Sequence, residues 1–251
     1  MTNLRFSTTS VTHPGLVRSA NEDAFVARED AGIWVVADGM GGHANGRWAS
    51  DAVIGAVSAM TPTRDFDADV ANLTGAIQSA NSTIFTASQQ LGARMGSTAV
   101  ALYLIGDRFV CIWAGDSRIY LLRGAQLFRL TRDHTQVEDL VERGFLTVQE
   151  AAHHPMSHVL SRAVGVEEVL NLDAVSDTAQ PRDIFLLCSD GLTGVVSENE
   201  ICERLAGFAP AAACSRLLDL VLARGAPDNV TLIAVACEQT TSLTFASAPT
   251  F

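Results

Sequence analysis

Hydrophobic positions in this chain come in short unbroken runs, each closed by a small residue and then an aspartate. Ile33-Trp34-Val35-Val36-Ala37 leads to Asp38, Val110-Cys111-Ile112-Trp113-Ala114-Gly115 to Asp116, and Ile184-Phe185-Leu186-Leu187-Cys188-Ser189 to Asp190. Runs of this length, rich in β-branched and aromatic residues, predict buried strands. Two segments have the reverse order, aspartate first: Asp23-Ala24-Phe25-Val26, and Asp228-Asn229 ahead of Val230-Thr231-Leu232-Ile233-Ala234-Val235. Strands that end in Asp alternating with strands that begin with one predict an antiparallel arrangement with all five carboxylates at one edge. Carboxylates that close raise one another's pKa and cannot all stay ionised without cations. Hard divalent ions such as Mg²⁺ or Mn²⁺ suit an oxygen-rich site of this kind.

Strands are expected at about 4–12, 23–28 and 32–38, then helices at about 46–60 and 67–90, the second with Val70, Leu73, Ile77, Ala80 and Ile84 at near-helical spacing. Four further strands, 97–105, 108–114, 118–123 and 126–130, are separated by Gly106-Asp107, Gly115-Asp116 and Gly124-Ala125. Read as tight turns, these separators predict an antiparallel meander. Residues 135–165 are polar and helical in propensity, and read as an insertion forming a flap over the site. Strands near 169–176 and 184–189, helices near 197–206 and 209–224 and a strand at 229–237 follow. This organisation predicts a single domain over residues 1–240 and a poorly ordered tail at 241–251. The strands are apolar on both faces, so the fold is α+β, two stacked antiparallel sheets flanked by helices.

The 251 residues are 48% hydrophobic, enough for a large core, and carry a net charge of −11. That charge argues against nucleic acid or an anionic membrane as a partner. All 17 basic residues are arginine, which excludes a Walker-type phosphate lysine, a kinase strand lysine and Schiff-base chemistry. Five cysteines without CxxC spacing read as reduced thiols of a cytoplasmic protein. The N-terminus lacks a signal-peptide hydrophobic stretch, and no apolar run approaches the roughly 20 residues that span a bilayer.

Asp38-Gly39-Met40-Gly41-Gly42-His43 is the sharpest local signal. Its glycines let backbone approach a ligand closely, and a carbonyl there can join the Asp38 carboxylate on a metal. Gly39 to Ala44 also fits G-x-G-x-x-A, the dinucleotide fingerprint, but Thr61-Pro62-Thr63-Arg64-Asp65-Phe66-Asp67 supplies no second strand for that reading. Asn21-Glu22-Asp23 offers two adjacent acids, one for direct and one for water-mediated metal contact, with Arg18 as a bidentate phosphate clamp. In isolation the same residues would read as a solvated loop with a surface ion pair. His43 could protonate a leaving group. His134 could orient a neighbour, although a structural hydrogen bond is the simpler reading. His153, His154 and His158 read as solvated or capping residues of the flap, with no zinc-like spacing.

Taken in order, Arg18-x-x-Asn21-Glu22-Asp23, Asp38-Gly39-Met40-Gly41-Gly42-His43, Gly96-Ser97-Thr98, Gly115-Asp116-Ser117-Arg118, Thr131-x-Asp133-His134, Ser189-Asp190-Gly191-Leu192 and Asp228-Asn229-x-Thr231 resemble the metal-dependent Ser/Thr protein phosphatases of the protein phosphatase 2C group, in compact bacterial form. The resemblance covers roughly residues 5–237. It implies a four-layer α-β-β-α sandwich with two core Mn²⁺ or Mg²⁺ ions and a weaker third. It further implies that Asp38 bridges the core ions, the Gly39 carbonyl binds one, and Asp190 and Asp228 hold the other. Glu22 and Asp23 would contribute directly or through water, Asp116 would share the third ion with Asp190, and Arg18 would hold substrate phosphate. A water bridging the two core ions would attack phosphorus in line. The implied substrates are phosphoserine and phosphothreonine on proteins, with a partner Ser/Thr kinase or its targets among them, and the implied enzyme is a monomer.

Thr193-Gly194 and Val164-Gly165 stand where many relatives carry acids that help the third ion. Met40 stands where eukaryotic relatives have histidine, which leaves His43 as the candidate general acid. The Gly32–Asp38 run is similar to that of relatives serving type VI secretion. The competing reading within the family is a binding module without catalysis, and the complete set of core carboxylates argues against it.

Overall fold

Extended chain sends alternate side chains to opposite faces, so strands that are apolar at every position need a cover on both sides. The computed structural model describes residues 4–42, 44–152 and 154–239, without the side chains of Val148 and Ala152. In chain order the elements are β1 (Leu4–His13), β2 (Asp23–Arg28), β3 (Ile33–Met40), α1 (Ala44–Ser58), α2 (Phe66–Leu91), β4 (Gly96–Ser97), β5 (Ala99–Ile105), β6 (Arg108–Ala114), β7 (Arg118–Arg123), β8 (Gln126–Arg129), α3 (Gln136–Glu142), α4 (Val148–Ala152), β9 (Asp173–Thr178), β10 (Ile184–Cys188), α5 (Asp190–Thr193), α6 (Glu198–Gly207), α7 (Pro210–Ala223) and β11 (Val230–Gln239). One sheet runs β1-β11-β10-β7-β8; the other runs β2-β3-β5-β6-β9, with β4 on β3.

The two faces of each sheet go to different cores. Trp34, Val36, Leu102, Phe109, Phe185, Leu187, Ile233 and Val235 fill the gap between the sheets. Their odd-even neighbours Ile33, Val35, Ala101 and Tyr103 pack on Val53, Leu73 and Ile77 of α1 and α2. On the far side Leu186, Cys188, Leu232 and Ala234 meet Leu205, Leu217 and Val221 of α6 and α7. The architecture is an α-β-β-α sandwich, and each large side chain buried in it contributes about 1.5–3 kcal/mol. Trp34 Nε1 donates to Thr8 Oγ1 at 2.9 Å, a polar pin between the sheets. From the first turn of α2, the buried Asp69 accepts from Thr63 N (2.7 Å), Thr63 Oγ1 (2.9 Å) and Arg64 N (2.9 Å) in the α1–α2 connection and from Tyr103 Oη (2.8 Å). Those bonds hold a turn in which Arg64 has φ +67°.

Every ladder between named strands is antiparallel. The dinucleotide reading needs a parallel βαβ unit, so it fails here. The meander is also corrected. β5–β6 and β7–β8 are hairpins, but β6 and β7 lie in different sheets, so Gly115-Asp116 is a crossover between layers. A glycine-containing connector reads alike in both cases, because only the partner strand distinguishes them. The strand expected near 169–176 begins at Asp173. The segment 135–165, expected as a flap, carries α3 and α4, and its ends are tied down by bridges Thr135 to Leu160 and Ser97 to Val164. Residues 240–251, the expected tail, lie outside the described residues.

Candidate metal centre

β2 begins, β3 ends, β6 ends, β10 ends and β11 begins at the same end of the inter-sheet gap, and each delivers one acid there. Asp23 and Asp38 are direct register partners across β2 and β3. Like charges directly opposite on a ladder are destabilising unless something neutralises them. Asp38 has the same strand parity as Trp34 and Val36, so it faces into the gap. Asp116 follows β6 in the crossover, Asp190 opens α5 after β10, and Asp228 stands two residues before β11. Asp190 lies near enough to Asp38 for the two carboxylates to repel one another.

The electrostatics follow from this crowding. Burial, then Asp23, Asp190, Asp116 and Asp228, hold the Asp38 carboxyl well above the usual carboxylate range. Burial and then Asp190 push Asp116 up to about 7. Burial pushes Asp23 up to about 7, against hydrogen bonds from Thr231 and Ser189 that favour its charged form. Burial and Asp228 raise Asp190, while the exposed His158 of the flap and Arg18 oppose the rise. Asp23 Oδ2 accepts from Ser189 Oγ (2.8 Å) and Thr231 Oγ1 (2.7 Å), both in the opposite sheet. Its Oδ1 is buried with no hydrogen-bond partner.

The supporting residues are small and local. Asn229 Oδ1 accepts from Glu22 N at 2.8 Å, and its Nδ2 donates to Pro14 O and Ala20 O, both at 2.9 Å. One side chain thus fixes the loop that carries Arg18 and Glu22. The Glu22 carboxylate lies over Gly46, where any Cβ would overlap Glu22 Oε2. Asp38 N donates to Thr98 Oγ1 at 2.9 Å, and Thr98 Oγ1 pairs with Ser117 Oγ at 2.7 Å. Arg18 Nη2 meets Asp228 Oδ2 at 2.7 Å, with side chains 58% and 36% exposed. An ion pair that exposed is worth at most about 1 kcal/mol, so Arg18 can exchange its partner for an anion at small cost.

The structure therefore brings Glu22, Asp23, Asp38, Gly39, Asp116, Asp190, Asp228 and Arg18 to one edge. His43 and His153 lie outside the described residues. His154 Nδ1 accepts from Met156 N at 3.2 Å and closes a flap turn. Ser189, Thr231, Thr98, Ser117, Asn229 and Gly46 were not singled out for the roles they take. All but Gly46 stand inside quoted motifs, and Ser117, Ser189 and Asn229 are each next to an aspartate.

A divalent ion fits these residues. The donor set is all oxygen, one buried carboxylate oxygen lacks a partner, and the acids hold one another's pKa up for want of positive charge. Among the described residues no three Asp, Glu, His or Cys side chains form a ready-made metal cage. Ligation thus needs carboxylates such as Asp228 to turn from protein partners toward the ion.

The sequence profile of the Protein phosphatase 2C family matches residues 6–144. This chain is a member of that family. The Ser/Thr protein phosphatase PstP of Mycobacterium tuberculosis is 38% identical over 221 residues, covering 87% of this chain and 42% of PstP. The chain therefore spans about two fifths of that relative. The Ser/Thr phosphatase stp of Listeria monocytogenes is 34% identical over 240 residues, covering 89% of this chain and 93% of its own. Among solved structures, PppA of Pseudomonas aeruginosa, a key regulatory component of T6SS, superposes with TM-score 0.87 at 39% identity over 92% of this chain and 97% of PppA. A PstP catalytic domain in complex with two manganese ions gives TM-score 0.83 at 36% identity over 94% of this chain and all of that domain. Protein phosphatase 2C enzymes use Mn²⁺ or Mg²⁺.

Proposed function

We propose that this protein hydrolyses phosphoserine and phosphothreonine esters of proteins with Mn²⁺ or Mg²⁺ at the Asp38 edge. The observation that carries the reading is the meeting of five aspartates from two sheets, one of them with a buried, unpartnered oxygen. Asp38, the Gly39 carbonyl, Asp190 and Asp228 would hold the core ions, with Glu22 and Asp23 beside them and Asp116 serving a further ion. Bound ions supply Lewis-acid activation of water and neutralise phosphoryl charge.

The chain's own residues set the rest. Arg18 would leave Asp228 for a phosphoryl oxygen, and Asn229 keeps the Arg18 loop in register with β11. Leu16 and Val17, 63% and 70% exposed, precede Arg18 and offer apolar surface to a polypeptide substrate. His43 is the assigned proton donor to the leaving oxygen. Among the described residues no helix is long and apolar enough to cross a membrane. The cysteines are free thiols, and the reading assigns the enzyme to a reducing cytoplasm, as a monomer opposing a Ser/Thr kinase. The likeness to PppA makes secretion-system regulation the first pathway to examine.

Asp38→Asn is the test. It is expected to abolish Mn²⁺-dependent hydrolysis of p-nitrophenyl phosphate and of a phosphothreonine peptide while the circular dichroism spectrum stays native. Activity retained in the variant refutes the assignment.

A further inference from the structure

Asp116 sits in the crossover between sheets, immediately after Gly115, whose φ is +109°. Glycine is the least self-restrained residue, so this turn takes its shape from what touches it. On one side Thr98 fills the space where a Gly115 Cβ would go. On the other is His134. Gly115 N donates to His134 Nδ1 at 3.1 Å, and His134 N donates to Gly115 O at 2.9 Å. The two bonds close a ring between positions far apart in sequence.

The remaining contacts fix the imidazole. It is 6% exposed and stacks on Trp113, with centroids 6.1 Å apart and planes 14° from parallel. Because Nδ1 accepts, the proton of the neutral ring is on Nε2, which lies 3.2 Å from both Asp173 Oδ2 and Arg162 Nη1; of these only the carboxylate oxygen can accept it. The other tautomer would set two donors face to face at Gly115. Arg162 Nη1 is 2.6 Å from Asp173 Oδ1 and holds that carboxylate. Asp173 is the register partner of Trp113 on β6, so the orienting acid and the stacking ring are built into one ladder.

We propose that His134 is a positioning residue that shapes the Gly115-Asp116 turn for metal binding, its Nδ1 holding the Gly115 amide and its Nε2–H held by Asp173. The inference rests on the phosphatase reading above, because Asp116 matters only if that edge takes up a divalent ion.

Two substitutions separate the nitrogens. Asparagine places its carboxamide oxygen where Nδ1 lies, and glutamine reaches the place of Nε2. Amide hydrogen exchange over residues 113–118 and Mn²⁺ binding by calorimetry are the readouts, and neither needs turnover. In His134→Gln, exchange of the Gly115 segment is expected to quicken roughly tenfold, and Mn²⁺ affinity to fall roughly tenfold or more. His134→Asn is expected to keep both within about threefold of the parent protein, the spread usual for a bond remade by an isosteric acceptor. Parent-like values in His134→Gln, or equal losses in both variants, overturn the inference. Should His134→Gln not fold, Asp173→Asn removes the charged partner of Nε2–H with the ring in place. It is expected to show both losses, and parent-like values there overturn the proposal too. A parent protein that binds no Mn²⁺ overturns the phosphatase reading as well, so the two failures are distinct.

Discussion

Removing the divalent ion should leave a protein that weakens as the solution becomes more alkaline, and Asp23→Asn should cancel much of that effect. Asp23 is 1% exposed, and burial raises its carboxyl from 3.8 to about 7. A raised folded-state pKa means that between those values the native state binds more protons than the unfolded state. Stability is then fully present below about pH 4 and is lost as pH rises through about 7. A shift of roughly three units corresponds to about 4 kcal/mol for this one group, as an upper limit because its neighbours share the same protons. For a chain of this size that is on the order of 10 °C in Tm. Asparagine cannot ionise, and its oxygen can still accept from Ser189 and Thr231. Its amide would occupy the unpartnered Oδ1 position, at a cost of about 1–3 kcal/mol. The assay is thermal unfolding in chelator from pH 5 to 8, followed by the same series in Mn²⁺. The parent should lose several degrees across the chelated series and recover them with Mn²⁺. Asp23→Asn should give a flatter chelated curve and a smaller response to Mn²⁺. A chelated parent that is equally stable at pH 5 and 8, or a variant with an identical slope, refutes the argument that these acids repel one another.

Two other outcomes test the scaffold. Asp69→Ala removes the acceptor of four hydrogen bonds at the Thr63-Arg64 turn and should cost about 3–4 kcal/mol in urea unfolding. Those bonds hold the Asp69 carboxyl below the usual range despite burial, so the stability they supply is present above about pH 4 and is lost as pH falls through the depressed value. Arg123→Met leaves the buried Asp183 without the guanidinium that meets it at 2.6 Å, at the opposite end of β7 from Asp116. Equilibrium unfolding should show a loss of about 3–5 kcal/mol, while kcat per folded molecule is unchanged.

Much of this was legible because strands apolar at every position can only be double-faced. The Ile33–Ala37 run reports both the inter-sheet core and the helix-facing core, and from that the layers follow. The acids were legible because a charge at the end of a buried run has few other uses. The crossover at Gly115 was not, since a hairpin turn and a sheet change share one composition and differ only in what lies across from them. Ser189 and Thr231 were read as turn and strand material. Their hydroxyls face a carboxylate 166 and 208 positions away, and no local pattern carries that separation. His134 was read as a hydrogen-bonding residue, which it is, but the identity of its partner depended on the same crossover.

The five aspartates do not belong to one layer. Asp23 and Asp38 stand on one sheet, Asp190 and Asp228 on the strand ends of the other, and Asp116 on the link between them. An ion gripped there is a rivet through a seam. Any slippage of one sheet across its mate would pull the donors out of alignment although each sheet stayed intact. Catalytic competence would thus report the docking of the two halves, and losing the ion would loosen the joint that the ion requires.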